Sequence, residues 1–448
     1  MAAGYDVVVV GGGIGGLTVA ALLSARGLST CVLERQSQVG GCIARVEFSG
    51  HEFEPGMGVY TSFGAGEIYE RIFAELPVDV PQISLVAQPY VVRLADGTDV
   101  RLIRDDEFFD ELAAKFPECA DRAVAFYRKP PLEDLSTTSP RFQSFIDLQL
   151  RGFLHTSIDQ CSSTFLAAAL ARPREPLYTI DGGPAALVER LAESVKRSGS
   201  TVRLNTPVLR LAYDQSGAAT GVDLLSGERV IARRAVISNL TVWDTYGKLV
   251  GLNRTPPEIK KQINVQSGTG AYVVYATIDQ PAIGRLPGER MLVATTPRDA
   301  DDDWFTEITL AVYGGTVTLK SATDVNEWFT YHASEEEFEE SDQAALERFW
   351  TKLHAALPEL GSGIEIIETA NPRTYYDQTR RKLGMVLGVQ PSPSRSSPSS
   401  AFQSAKIPFP QAVLPNLFVV GDTVSAFPDL NSVAQTALSV ADTLKTNH

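Results

Sequence analysis

Apolar residues recur along the chain at two spacings, and the alternation between them lays out its elements. Val7 to Val10 is a run of four β-branched residues, suited to a strand buried in a parallel sheet. A glycine cluster follows at once. Leu17, Ala20, Ala21 and Ala25 then return at helical spacing, predicting a helix over Leu17–Arg26 that Gly27 ends. Ser29–Leu33 is a second short strand with Glu34 at its tip. Next come a hairpin (Ala44–Phe48 and Glu52–Glu54 around Ser49-Gly50), a helix over Glu67–Leu76, and strands around Leu85–Leu94 and Asp99–Ile103 joined at Asp96-Gly97. Helical pattern runs from Asp105 to Tyr127 and, after the breaks at Pro130-Pro131 and Ser136–Pro140, through the apolar stretch Phe142–Ala171. Gly182-Gly183-Pro184 opens a helix over Ala185–Ser198, followed by strands Thr201–Leu204, Val208–Asp214, Ala219–Leu225, Arg229–Ala232 and Ala235–Ile237. Further strands are predicted over Val265–Ile278, Phe305–Val312, Thr316–Ala322 and Ile364–Thr369, with a helix over Ser341–Leu357. Pro391–Ser400 reads as a Ser/Pro-rich surface loop. The chain closes with a strand (Leu417–Val420), Gly421-Asp422, and a helix over Ser432–Leu444.

The glycine cluster carries the first chemistry. Gly11, Gly13 and Gly16 fit G-x-G-x-x-G between a strand and a helix. Gly11 permits the tight turn, Gly13 lets a pyrophosphate approach the backbone, and Gly16 lets the helix lie against the strand. The helix N-terminus offers free N–H groups and partial positive charge to the phosphates. Glu34, about 20 residues on, is placed to accept hydrogen bonds from an adenosine ribose. Strand, turn, helix and acid in that order point to dinucleotide binding.

Composition narrows the setting. At 448 residues, with 44% hydrophobic and 21% charged residues, the chain has material for a large core and two domains. The net charge of −14 argues against nucleic acid and against general attraction to anionic lipid. No apolar stretch approaches the roughly 20 residues of a membrane span, and no basic n-region precedes the first strand. Asp299–Asp303 and Glu335–Glu340 read as solvated acidic faces. The four cysteines (Cys31, Cys42, Cys119, Cys161) and five scattered histidines show no metal spacing, which suits a reducing cytoplasm and no metal site. Cys42 has no second cysteine nearby, so dithiol chemistry is not expected and the residue reads as packed.

From Glu34 onward the chain resembles the FAD-dependent phytoene desaturase, carotenoid isomerase and retinol saturase family of the flavin amine oxidase superfamily. Glu34, Gly40-Gly41-Cys42 and Gly50–Gly56 match its acid, its glycine pair and its G-x-x-F-D-x-G segment. Cys42 stands where that family commonly has a basic residue touching the cofactor phosphates, and Arg35 or Arg45 is the expected substitute. The 182–239 series, ending at Ser238-Asn239, matches a middle segment of the family. Thr374, Thr379, Gly384 and Gly388 match a later one, and Gly421-Asp422 before the last helix matches its end. The glycine run that usually follows Gly-Asp is replaced by Phe427–Ser432.

The resemblance implies an α/β fold: a Rossmann-type FAD-binding domain of the glutathione-reductase kind, amine-oxidase branch, with an interleaved α+β substrate domain. The FAD domain would comprise 1–63, 178–245 and 405–448, and the substrate domain 64–177 and 246–404. It assigns FAD to Gly11, Gly13, Ile14, Gly15, Gly16, Glu34, Arg35, Gly40, Gly41, Cys42, Val208, Asn239, Gly421, Asp422, Ser432 and Val433. It implies an oxidoreductase that desaturates, saturates or isomerises an apolar polyene or isoprenoid. Such a cytoplasmic enzyme would meet a membrane surface through an apolar patch on Phe142–Leu170. No catalytic residue can be named: His155, Asp147 and Arg151 lie on that stretch, but such residues are more often ordinary surface or core residues. Two other readings stay open, a soluble flavin amine or amino-acid oxidase and a non-catalytic flavin-binding partner of a biosynthetic complex.

Overall fold

The computed structural model describes residues 4–56, 58–87, 90–103, 106–128, 135–160, 166, 170, 175–265, 268–297, 304–329, 335–388, 414–425, 427 and 429–446. Cys161, most of 161–174, the acidic run 299–303 and the Ser/Pro loop 391–400 lie outside them.

The β-branched run near the N-terminus becomes the strand Gly4–Val10, whose last four residues are buried. It pairs in parallel with Thr30–Leu33 on one side and Arg229–Ser238 on the other. Among the described residues these belong to a seven-stranded sheet. Thr201–Arg203 extends one edge in parallel. Ala219–Leu224 and Val208–Tyr213 extend the other as an antiparallel meander. The two expected segments Arg229–Ala232 and Ala235–Ile237 are one ten-residue strand. Its first half pairs with the meander, and its second half takes Leu417–Val419 in parallel. One face of the sheet is covered by helices Ile14–Ala25, Gly183–Arg197 and Leu430–Thr446, which bury Leu17, Leu191 and Val440 against Val7 and Ile237. Ile14–Ala25 begins three residues before its expected start and is buried nearly all round. A helix that is apolar on every side belongs in such an interior.

A second seven-stranded sheet has the order Ile364–Ala370, Gly270–Ile278, Thr316–Thr323, Glu307–Tyr313, Arg290–Ala294, Tyr90–Arg93, Asp99–Leu102. Side chains alternate across it. Its outer face (Tyr272, Val274, Leu310, Leu319) packs on Phe349 and Leu353 of the helix Glu335–Ala356. Its inner face carries Val273, Tyr275, Thr318, Lys320, Glu307 and Leu292, by register. Helix Pro140–Leu154 lies on that inner face. A Cβ on Gly152 would overlap the side chain of Leu292, so this contact depends on glycine.

Several expectations are corrected. The helical pattern from Asp105 divides into Glu107–Lys115 and Ala120–Arg128, because Pro117 lacks the N–H a continuous helix needs. The stretch from Phe142 stops at Leu154, where His155 takes a left-handed φ of 55°. Asp147 fixes this end: Oδ1 accepts from the Ile158 N–H at 2.8 Å and Oδ2 from Arg151 Nε at 2.7 Å. Strand Arg290–Ala294 and helix Pro372–Thr379 were not foreseen. The described part of Phe142–Leu170 gives no support to an apolar membrane-contacting patch. Phe142, Phe145, Ile146 and Leu150 are fully buried and pack with Phe116, Phe126 and Leu112.

Truncating this aromatic cluster should therefore be expensive. Phe145→Ala is expected to lower the unfolding free energy by about 3–5 kcal/mol in urea titrations. A loss below about 1 kcal/mol would place Phe145 at the periphery and not in a packed core.

Candidate functional site

The site is assembled at the carboxyl edge of the first sheet, where backbone segments meet too closely for side chains. Gly11 has φ +99°, open to glycine, and its N–H donates to the Leu33 carbonyl at 2.9 Å. The buried Glu34 carboxylate stitches this turn to the exit of the second strand. Oε2 accepts from the Gly12 N–H at 2.7 Å, and Oε1 from the Gln36 N–H at 2.8 Å. A Cβ on Gly16 would run into the Gly11 carbonyl oxygen, so this glycine sets the approach of helix to strand. The second glycine pair lies on the first: the Gly40 N–H donates to the Gly12 carbonyl at 2.9 Å, and a Cβ on Gly41 would sit 3.7 Å from Gly13 Cα.

Asn239, just past the long strand, is the hub. Its N–H donates to the Val10 carbonyl at 2.9 Å. Its side chain packs against the glycines: Nδ2 lies 2.7 Å from where a Cβ on Gly13 would stand, and Oδ1 lies 2.7 Å from one on Gly15. Val433 Cγ1 and the Gly421 N–H converge on the same point at 3.1 and 3.3 Å. Ile14 opens the helix beside them and Val208 opens the meander, both half-buried. Where the resembling family has a glycine run, this chain caps its last helix: Asp429 Oδ1 accepts from the Ser432 N–H at 2.7 Å. Asn431 Oδ1, in the same first turn, is buried with no hydrogen-bond partner.

Two expectations for the basic residue near Cys42 are corrected. Arg35 turns outward and donates to the Gln378 carbonyl at 2.8 Å. Arg45 pairs on the surface with Glu52 and Glu189. The cation beside Cys42 is Arg381, whose guanidinium lies near the thiol and grips both oxygens of Asp422, with Nη1 to Oδ1 at 3.2 Å. Burial raises the Cys42 thiol, and the guanidinium only partly offsets this. Burial also works against the charge of Arg381, but Asp422 and Cys42 outweigh it and hold the cation above its ordinary range. Asp422 thus reaches the site as half of an ion pair, not as a lone carboxylate. Sequence reasoning missed Arg381 because it lies 339 positions beyond Cys42 in the chain, and only the fold brings the two together.

The wall continues onto the inner face of the second sheet. Phe53, Val273, Tyr275 and Tyr375 form one cluster, and Tyr375 lies near Cys42. Lys320 is the cross-strand partner of Val273. Burial lowers its ammonium to about 8, against a partial offset from Glu307. Glu54, the acid of the family segment, is buried, bonded to the Tyr60 hydroxyl, and raised by burial. A lysine inside the strand Thr316–Thr323 was the sequence signal for this polar wall. His155, Asp147 and Arg151 do not converge on the glycine turns: Asp147 and Arg151 pair with each other at the helix end.

With this geometry in place, comparison with known proteins defines the class. The chain matches the flavin containing amine oxidoreductase family over residues 14–444 and belongs to it. It is a flavin-containing oxidoreductase whose cofactor is FAD. More particularly, it is 25% identical to the chloroplastic prolycopene isomerase of Arabidopsis thaliana, across 96% of this chain and 80% of that one. It is 35% identical to the carotenoid 3,4-desaturase of Haloarcula japonica, over 32% of this chain and 27% of that one. With the human all-trans-retinol 13,14-reductase it shares 21%, over 94% and 82% of the two chains. An oxidoreductase from Methanosarcina mazei has the same fold, with a TM-score of 0.70 at 17% identity over 97% of this chain and 99% of that one. A putrescine oxidase superposes at 0.63 with 17% identity, covering 99% of both. The site fits FAD on its own geometry: a glycine cradle that one Cβ would fill, a carboxylate at a strand tip, and an orphaned buried acceptor at Asn431.

The lowered Lys320 has a consequence for stability. In the folded protein its ammonium gives up its proton near 8; in the unfolded chain it does so near 10.5. Between those values the unfolded chain binds more protons, so raising the pH through that window favours folding, by up to about 1.4 kcal/mol per pH unit. Denaturation of wild type and Lys320→Met at pH 8 and pH 10 should show the stability of wild type rising relative to the variant. An unchanged difference would mean that Lys320 titrates normally.

Proposed function

We propose that this chain is an FAD-dependent oxidoreductase acting on an apolar polyene or isoprenoid, which it desaturates, saturates or isomerises. The observation that carries the reading is the relationship to a prolycopene isomerase across nearly the whole chain, including the segments around the inner sheet face. In this reading residues 1–63, 178–245 and 405–448 form a discontinuous FAD-binding domain, and 64–177 and 246–404 the substrate domain. Glu34 would accept the adenosine ribose hydroxyls, while the turn at Gly11, Gly13, Ile14, Gly15 and Gly16 and the pair Gly40-Gly41 would meet the pyrophosphate. Val208 would lie at the adenine end. Asn239, Gly421, Ser432 and Val433 would border the flavin end, with the Arg381–Asp422 pair and Cys42 beside it. Arg35, turned outward, would contribute at most at the adenosine rim.

FAD supplies the hydride or electron exchange when bound. The protein's share is orientation and exclusion of water. Phe53, Val273, Tyr275 and Tyr375 give the inner face an apolar, aromatic surface next to Cys42. The sheet above them is rigid, with Gly270–Ile278 paired on both sides.

The purified protein should be yellow and release FAD on denaturation. Gly13→Val should be colourless, and Glu34→Ala should bind FAD more weakly by about 1–3 kcal/mol, as expected for buried hydrogen bonds left unpaired. The reaction class is read by incubating the holoprotein with a carotenoid polyene and following its absorption and isomer composition. An FAD-dependent change is the expected result. An inert polyene together with amine-dependent peroxide release would replace this reading with a soluble amine oxidase.

A further inference from the structure

The inner face of the second sheet holds more unpaired polar atoms than a hydrocarbon substrate would leave there. Strands Arg290–Ala294 and Tyr90–Arg93 run in parallel with Met291 beside Val91, which sets Arg290 next to Tyr90. Arg290 Nε and the Tyr90 hydroxyl are both buried without a hydrogen-bond partner. Glu289 stands 4.0 Å from Arg290, and the buried Glu54 carboxylate feels the charge of Arg290 without hydrogen-bonding it. On the same face Lys320 lies across Thr309 from Leu292. Strand spacing of about 4.8 Å puts Lys320 within roughly 12 Å of Arg290. Lys320 faces Glu307 and His155, and His155 Nδ1 is buried without a partner.

Further contacts tie these groups to one another. Phe153, two residues before His155, stands edge-on to Tyr90 with ring centroids 5.1 Å apart. Glu54 and Gly58 lie on the same face: Thr318 Oγ1 donates to the Glu54 carbonyl at 2.8 Å, and a Cβ on Gly58 would lie 3.8 Å from Arg290 Nε. The aromatic surface beside Cys42 begins one strand from Lys320. Buried donors without acceptors are unfavourable unless a ligand supplies them. Arg290, Lys320 and the Tyr90 hydroxyl can all donate to an oxygen.

We propose that this face is a subsite for an oxygen-bearing head group, so that the substrate is an apolar chain ending in a carboxylate, carbonyl or hydroxyl and not a bare hydrocarbon. The inference rests on the apolar-substrate reading above and names the other end of that substrate.

The test is titration of the holoprotein, in dilute neutral detergent, with linoleate, linoleyl alcohol and the matching octadecadiene, followed by the visible flavin band. At least one oxygenated probe should bind tenfold or more tightly than the octadecadiene. A preference for linoleate over the alcohol would identify a carboxylate, and equal binding a neutral oxygen, both in support. In Arg290→Met and Lys320→Met, each checked for full FAD content, that preference should shrink while octadecadiene binding stays unchanged. Equal binding of all three probes by wild type would overturn the subsite, and that comparison stands even if a variant fails to fold. Variants that weaken all three alike would show a structural role and also overturn it. No response of the flavin to any probe, with FAD fully bound, would overturn the apolar-substrate reading itself.

Discussion

The structure depends on a point where backbone replaces side chains. At the carboxyl edge of the first sheet, Gly13, Gly15, Gly16 and Gly421 pack around the single amide side chain of Asn239. A methyl group at Gly13 or Gly15 would stand 2.7 Å from that amide. Helices Ile14–Ala25 and Leu430–Thr446, the long strand Arg229–Ser238 and the turn after the closing strand Leu417–Val419 all meet at this contact. It joins three distant chain segments at one point beside the N-terminus of helix Ile14–Ala25, and anions bind at such helix ends.

The second organising feature is electrostatic. Asp422 and Arg381 enter the site as a partly buried pair, and Arg381 also lies against Cys42. Removing one partner would leave a poorly solvated charge, which is far more costly than the pair is stabilising. Glu34 plays a similar part at the other end, where its two oxygens each take a backbone N–H. The cradle is thus held open by charges that are themselves neutralised or hydrogen-bonded.

Much of this was legible in the chain. The strand–glycine–helix–acid order is a local pattern, and each glycine's expected job at Gly11 and Gly16 reappears as a positive φ or a forbidden Cβ. The hairpin at Ser49-Gly50 was equally local: both residues take positive φ. What escaped was of two kinds. Boundaries moved where a single residue outweighs periodicity, as Pro117 does in breaking a helix. Convergence was invisible because it depends on strand register: nothing in the sequence says that Arg290 sits beside Tyr90, or that Arg381 displaces Arg35 and Arg45 as the cation at Cys42. For most aromatics of the stretch from Phe142 the sequence already favours core packing, and only a few are candidates for a pocket or a surface patch. The burial of this stretch against Phe116 and Phe126 decides for core.

The central claim is that the Asn239-centred cradle holds FAD. Its most direct test is equilibrium titration of flavin-stripped protein with FAD, comparing wild type with Asn239→Leu. Wild type should bind stoichiometrically. The variant should lose binding while its flavin-free thermal unfolding remains cooperative. FAD binding of equal strength in both proteins would contradict the account.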